Sequence, residues 1–193
     1  MNKSTKKLSL MALFAVICYV SFAYAKINIP LPAGSMISIH IANAIVVLCA
    51  LLLDGKAGGL AGAVGLSIAD ILDPVYFVSA PKTFFLKFCI GLIAGTLAHR
   101  YFHLRELTDR KQISKACIVS ASAALAFNVI ASPLIGYFFD RFILGINDVS
   151  ANLILAWSSS VTLFNAVVCV FVAWILYMLL YKSFNRFIKD IYA

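Results

Sequence analysis

The sequence predicts an all-α integral membrane protein of about six transmembrane helices, folded as a single domain over residues 1–193 with both termini cytoplasmic. Three observations lead there. Hydrophobic residues make up 63% of the chain and charged residues 12%, against about 25% charged in an ordinary soluble domain. The apolar stretches are continuous rather than alternating, which favours helices over a barrel. A spanning helix takes about 20 residues, so a chain of this length with short connections holds roughly six and leaves no room for a soluble catalytic domain.

The first run, residues 8–25, follows a short basic start. Ala23-Tyr24-Ala25 resembles the end of a cleavable signal peptide, but such a signal precedes a soluble domain and here further spans follow. Residues 26–35 contain Pro30 and Pro32 and read as an irregular loop, since neither proline continues a helix. The second run, 38–53, carries His40 and Asn43 near its start, and 54–57 reads as a tight turn. Two central runs follow, 58–70 and 83–95, joined by a wet turn with Pro74 and Pro81. Each has small residues on one face: Gly58, Gly62 and Gly65 in the first, Gly91 and Gly95 in the second. Glycines at this spacing let helices approach closely in a bilayer, where packing drives association. A long polar stretch, 99–112, precedes the fifth run, 113–134. Residues 137–152 mix aromatics with Asp140 and Arg141 and read as an interfacial segment. The sixth run spans 153–181, and the tail is basic.

Charge gives the orientation. The net charge of +8 is concentrated at the amino terminus, the 54–56 turn, the 99–111 loop and the tail, which alternate onto one side. This is the positive-inside pattern, so these loops face the cytoplasm. The distribution follows topology and excludes a nucleic-acid partner. The five cysteines are scattered through apolar runs with no metal or disulfide spacing. Gly55-Lys56 lacks the flanking residues of a phosphate-binding loop. His99 and His103 have basic neighbours and read as a membrane-edge surface rather than a zinc site. Ser158-Ser159-Ser160 has no histidine nearby, so a nucleophile is not indicated. The chain reads as a non-enzyme, with no metal site.

What remains is a set of polar groups in the outward halves of the runs: His40, Asn43, Asp70, Lys87, Asn128 and Asn165, beside Tyr76 and Trp157. Asparagines in membrane helices also serve as interhelical hydrogen-bond partners, and a structural or assembly protein without a ligand is the alternative reading. Their shared depth favours a pocket with aromatic walls and a few convergent polar groups, the usual design for a small ligand. Asp70 and Lys87 flank the central turn. Buried ionisable groups pair and face cavities, so the two are expected close together, in contact with the ligand or only with each other.

The stretches Ile29-Pro30-Leu31-Pro32, Ile39-His40-Ile41-Ala42-Asn43-Ala44, 51–62, Ala69-Asp70 and 80–87 carry a resemblance. Over residues 8–95 the chain resembles the substrate-specific S component of energy-coupling factor (ECF) vitamin transporters, in the riboflavin-type or hydroxymethylpyrimidine-type branch. The resemblance implies six helices and a vitamin or precursor (hydroxymethylpyrimidine, pyridoxine-like or riboflavin) bound near the outer face under the first loop. That loop would act as a lid through Asn28, Pro30, Pro32 and Gly34. The resemblance also implies docking on a transmembrane coupling subunit driven by two cytoplasmic ATPases, delivery by toppling in the bacterial cytoplasmic membrane, and no cofactor of the chain's own, ATP being used by the partners. Ala12 and Ala15, with Gly58, Gly62 and Gly65 as a second face, are the candidate docking residues. Two departures stand out. Where the family often has His-x-Gly-Asp-Ala this chain has Asn43 in place of the acid, and the first helix offers Ala12 and Ala15 three apart where the family often has alanines four apart.

Overall fold

A computed structural model of the chain describes residues 2–31 and 34–192, with side chains through Phe184. Six α-helices and one two-stranded hairpin account for most of it: α1 Lys3–Tyr24, β1 Lys26–Pro30, β2 Met36–His40, α2 Ala42–Leu52, α3 Gly55–Leu72, α4 Ala80–Thr96, α5 Arg110–Phe142 and α6 Asp148–Tyr192. A single π-turn, Leu97–Tyr101, extends α4. Five of the helices are long and apolar enough to cross a membrane, and α2 has 11 residues.

Contacts sort the helix ends into two sides. Lys7 in α1 forms a salt bridge of 2.6 Å with Asp54 at the α2–α3 turn, and His99 beyond α4 meets the carbonyl of Ala50 in α2 at 3.0 Å. These lie at the basic end. At the other end Lys26, just after α1, pairs at 2.5 Å with Asp73, just after α3. This second end carries the hairpin and is the end that the positive-inside rule would turn outward.

Backbone contact between small residues holds the centre. A Cβ built on Gly91 of α4 would collide with the backbone of Gly59 in α3, and one on Gly95 with Gly55. The two helices therefore touch main chain to main chain, an approach no larger residue allows. The opposite face of α3 is equally occupied. Gly58 abuts Ala50 and Gly62 abuts Val46, both in α2, while Gly65 meets the Ala15 backbone in α1. The second docking face expected from the sequence is thus taken up by packing inside the chain.

Every residue of α2 is buried. That explains how so short a helix belongs to a membrane fold: its sisters, not lipid, surround it. The sequence places its start near residue 38, but residues 36–40 form β2 and the helix begins at Ala42. Residues 26–35, read as irregular, likewise contain β1. The pairing is antiparallel, with Asn28 opposite Ser38 and Lys26 opposite His40. The turn between the strands places Gly34 at φ +73°, a left-handed conformation that glycine adopts without the Cβ clash. Leu31 and Ser38 of the hairpin are buried towards the cavity, whereas Ile27, Asn28, Pro30 and Met36 are exposed.

Two further boundaries differ from the sequence reading. Residues 55–57 belong to α3, whose first turn is capped by the Asp54 carboxylate accepting from the Ala57 amide at 2.8 Å. Helix α5 runs past Pro133 to Phe142, so most of the segment read as interfacial is helix. Proline removes one amide from the helical ladder and clashes with the carbonyl four residues back. Here it sits one turn beyond Asn128, on the stretch that borders the cavity described below.

Because Gly91 faces backbone, Gly91→Val is expected to lower the stability of the purified protein by about 3 kcal/mol, the upper range for overpacking a tight core. Gly136→Ala, whose added Cβ would meet only the Lys82 Nζ at 3.8 Å, is expected to leave it nearly unchanged. Thermal denaturation in detergent compares the two.

Candidate binding site

At the outer end the hairpin roofs a cavity of about 210 Å³. Its roof, walls and floor come from seven different parts of the chain. The roof is Leu31 and residues 35–38 of the hairpin. One wall is Phe22 of α1 with Tyr76 from the α3–α4 turn. Lys82 and Lys87 of α4 enter from the side, Asn128, Ser132 and Asp140 line the α5 wall, and Ser158, Thr162 and Asn165 the α6 wall. His40 and Asn43, at the junction of β2 and α2, close the base.

Six of the eight residues the sequence singles out border this space: His40, Asn43, Tyr76, Lys87, Asn128 and Asn165. The other two do not. Trp157 is 53% exposed on the outside of α6. Asp70 is buried at 3% exposure behind the wall, beside Thr83, and no direct salt bridge joins it to Lys87. It is nevertheless the carboxylate that acts most strongly on Lys87. Lys87 has no hydrogen-bond or ion-pair partner among the described residues and reaches the cavity as an unengaged donor.

The remaining polar groups divide into those that hold the roof and those left over. Asn165 is structural in part: its amide nitrogen donates to the Ser38 carbonyl at 2.9 Å, and its oxygen accepts from the His40 amide at 3.2 Å. That single side chain satisfies the edge of β2 from α6. The Ser38 hydroxyl bonds both the Asn28 side chain and the Tyr76 hydroxyl, each at 2.7 Å. Lys26 makes the Asp73 salt bridge while its ammonium lies 4.4 Å over the Phe22 ring and 4.7 Å over Tyr76. In contrast, His40 Nδ1, Asn43 Oδ1 and Asn128 Oδ1 are buried with no hydrogen-bond partner among the described residues. Buried polar atoms are nearly always bonded to something. Three such atoms at one cavity, with Lys87 beside them, form a set suited to a polar ligand.

Electrostatics at the roof follow from burial and from the lysines. Burial, reinforced by the positive charges of Lys87 and Lys26, pushes the His40 imidazole down to about 3, so the ring is neutral at physiological pH. It packs edge-on to Phe22 at 5.0 Å. Asp73 is pushed upward by burial, but the bond from Lys26 and the Val75 amide outweigh this and hold its carboxyl below the usual range. Burial raises the Tyr76 phenol, keeping its hydroxyl protonated.

The sequence missed Phe22, Ser38, Lys82, Asp140 and Thr162 as cavity residues, and Lys26–Asp73 as a clamp. For the hairpin a signal existed. Lys26-Ile27-Asn28-Ile29 and Ile37-Ser38-Ile39-His40 alternate on either side of a Pro/Gly turn, the pattern of paired strands. Of the lid residues, Asn28, Pro30 and Gly34 lie in the hairpin, and Pro32 lies outside the described residues.

The described residues form a bundle of apolar helices, five of them long enough to cross a membrane, with a hairpin roofing a polar-lined cavity at one end: the class is that of a helical membrane protein. Residues 2–182 match the family model described as ECF-type riboflavin transporter, S component. The chain belongs to that family: it is an S component, the substrate-binding subunit of a vitamin transporter, and the family is one of transporter subunits rather than enzymes. No curated protein and no solved structure matches the chain.

His40 gives the site a pH signature. The unfolded imidazole takes up a proton near 6.5 whereas the folded one resists it to about 3. The unfolded state therefore binds more protons in that window, and stability falls as pH drops from 6.5 towards 3. Thermal midpoints measured between pH 7 and pH 5 are expected to fall less steeply in His40→Gln than in the wild type. Equal slopes would place the imidazole in water.

Proposed function

We propose that this S component captures riboflavin, or a smaller heteroaromatic vitamin of similar edge chemistry, from the outer side in the cavity under the hairpin. The observation that carries the reading is the cluster of polar groups unpartnered among the described residues, His40 Nδ1, Asn43 Oδ1, Asn128 Oδ1 and the Lys87 ammonium, around one half-open cavity. A flavin ring presents carbonyl acceptors next to an N–H donor along one edge. Lys87 supplies a donor for the former and the Asn128 oxygen an acceptor for the latter. The Phe22 and Tyr76 rings offer apolar surface to its faces. Asn43, where the family often has an acid, contributes an amide that both donates and accepts.

The hairpin acts as the lid. It is held at its base by Lys26–Asp73 and along its inner face by Asn28, Ser38 and Tyr76. Release to the cytoplasm proceeds by toppling of the whole subunit on a coupling subunit, with ATP consumed by two partner ATPases. Of the candidate docking residues Ala12 is exposed and Ala15 partly so. A shallow groove beside Ala15, lined by Val16, Tyr19 and Ile68, is the face offered to the coupling subunit.

Titration of the purified protein with riboflavin, read by quenching of flavin fluorescence and compared with a panel of pyrimidine and pyridine vitamins, tests the assignment. Lys87→Met is expected to weaken binding by about tenfold or more, the effect of losing one charge-assisted hydrogen bond. Exchanging the charges (Asp70→Lys with Lys87→Asp) is expected to abolish it in the folded protein. Unchanged affinity in the exchange variant would move Lys87 to the scaffold, where Asp70 already lies. Ala12→Trp is expected to abolish uptake by cells while sparing binding, because it obstructs only the docking face.

A further inference from the structure

A second concavity lies at the basic end of the molecule, between α5 and α6, with a volume of about 900 Å³. Its position and chemistry differ from those of the vitamin cavity. Residues one turn apart on α5, Ser114, Lys115, Ile118 and Val119, face Trp174, Ile175, Met178 and Leu179 on α6. The deeper part is apolar and open: Ile118, Val119, Ile175 and Leu179 are between 38% and 71% exposed. The mouth is cationic, with Arg110, Lys111 and Lys115 all exposed.

None of these three cations makes a hydrogen bond through its side chain or an ion pair with a described residue. The nearest acid on the rim, Asp109, caps α5 by accepting from the Lys111 amide at 3.2 Å. Three positive charges against one negative leave the mouth with an excess of two. The Trp174 indole N–H donates to the Ser114 hydroxyl at 2.8 Å and ties α6 to α5 just below the mouth. Tryptophan at this level marks the border between headgroups and acyl chains. Lys115 lies about 7 Å deeper than Arg110 along the helix, and its long stem lets the ammonium reach back to the interface.

We propose that this groove holds one anionic phospholipid of the cytoplasmic leaflet, its phosphate bound by Arg110, Lys111 and Lys115 and an acyl chain along Ile118, Val119 and Leu179. Charge complementarity selects the occupant. A zwitterionic lipid carries no net charge to match the mouth, and a soluble anion leaves the apolar wall uncovered. Basic pockets between helices on the cytoplasmic side are suited to such headgroups, with each nearby cation contributing comparably to binding.

Native mass spectrometry of the purified protein, equilibrated with equal amounts of phosphatidylglycerol and phosphatidylcholine in mixed micelles, tests this. The wild type is expected to keep one phosphatidylglycerol preferentially. Lys111→Gln with Lys115→Gln should reduce that preference by about fivefold for each charge removed. Val119→Trp, which fills the apolar groove without altering charge, should also lose the adduct. Thermal midpoints of both variants establish that they fold. Equal retention of the two lipids by the wild type overturns the proposal, as does an undiminished preference in the double variant. An adduct that survives Val119→Trp assigns binding to the charges alone and also overturns it. So does a wild type whose groove carries a second copy of the chain and no lipid.

Discussion

Helices α3 and α4 touch main chain to main chain at Gly59–Gly91 and Gly55–Gly95, and the rest of the fold is arranged around that contact. In a bilayer, apolar side chains gain little by leaving lipid for protein, so close packing must hold helices together. Removing side chains from the α3–α4 interface lets the pair lie tightly enough for α2 to rest on the opposite glycine face. With α2 enclosed by its neighbours, it can be short. The space above its amino-terminal end is what the hairpin roofs.

The outer cavity follows from the same arrangement. Because α3 and α4 are fixed so closely, the turn joining them delivers Asp73 and Tyr76 to the hairpin and sets Lys87 beneath it. The hairpin is then secured by Lys26–Asp73, by the Ser38 hydroxyl and by Asn165 reaching from α6. These groups satisfy one another. His40, Asn43 and Asn128 retain atoms that nothing among the described residues satisfies, and unpaired polar atoms in a low-dielectric interior are costly. On the function proposed above, a bound vitamin with complementary donors and acceptors would relieve that cost and join the stability of this half of the protein to occupancy of the cavity.

Much of this was legible in the sequence. Continuous apolar runs gave the membrane class, and the glycine spacing gave the α3–α4 pair. Polar residues at a common depth brought together most of the cavity: His40, Asn43, Tyr76, Lys87, Asn128 and Asn165 all border it. The failures have physical causes. Trp157 shares the depth of these residues but points outward, because depth along a helix leaves its facing open. Asp70 and Lys87 were read as a pair from hairpin geometry, yet one lies behind the wall and the other within it. The strands escaped notice because the prolines were read only as marks of an irregular loop and because β2 runs almost directly into the apolar α2. Their two-residue alternation was present on either side of the turn. The destination of Gly58, Gly62 and Gly65 was ambiguous for a different reason: a small-residue face fits a partner helix of the same chain as well as one from another subunit.

Hydrogen–deuterium exchange of the purified protein, with and without saturating riboflavin, tests the placement of the site most directly. Riboflavin bound under the hairpin slows exchange of the amides in residues 26–40 and in the 73–79 turn, and leaves the basic-end loop at 102–109 unaffected. Unaltered exchange in the hairpin of a protein that demonstrably holds the vitamin would place the ligand elsewhere and contradict the binding site described above.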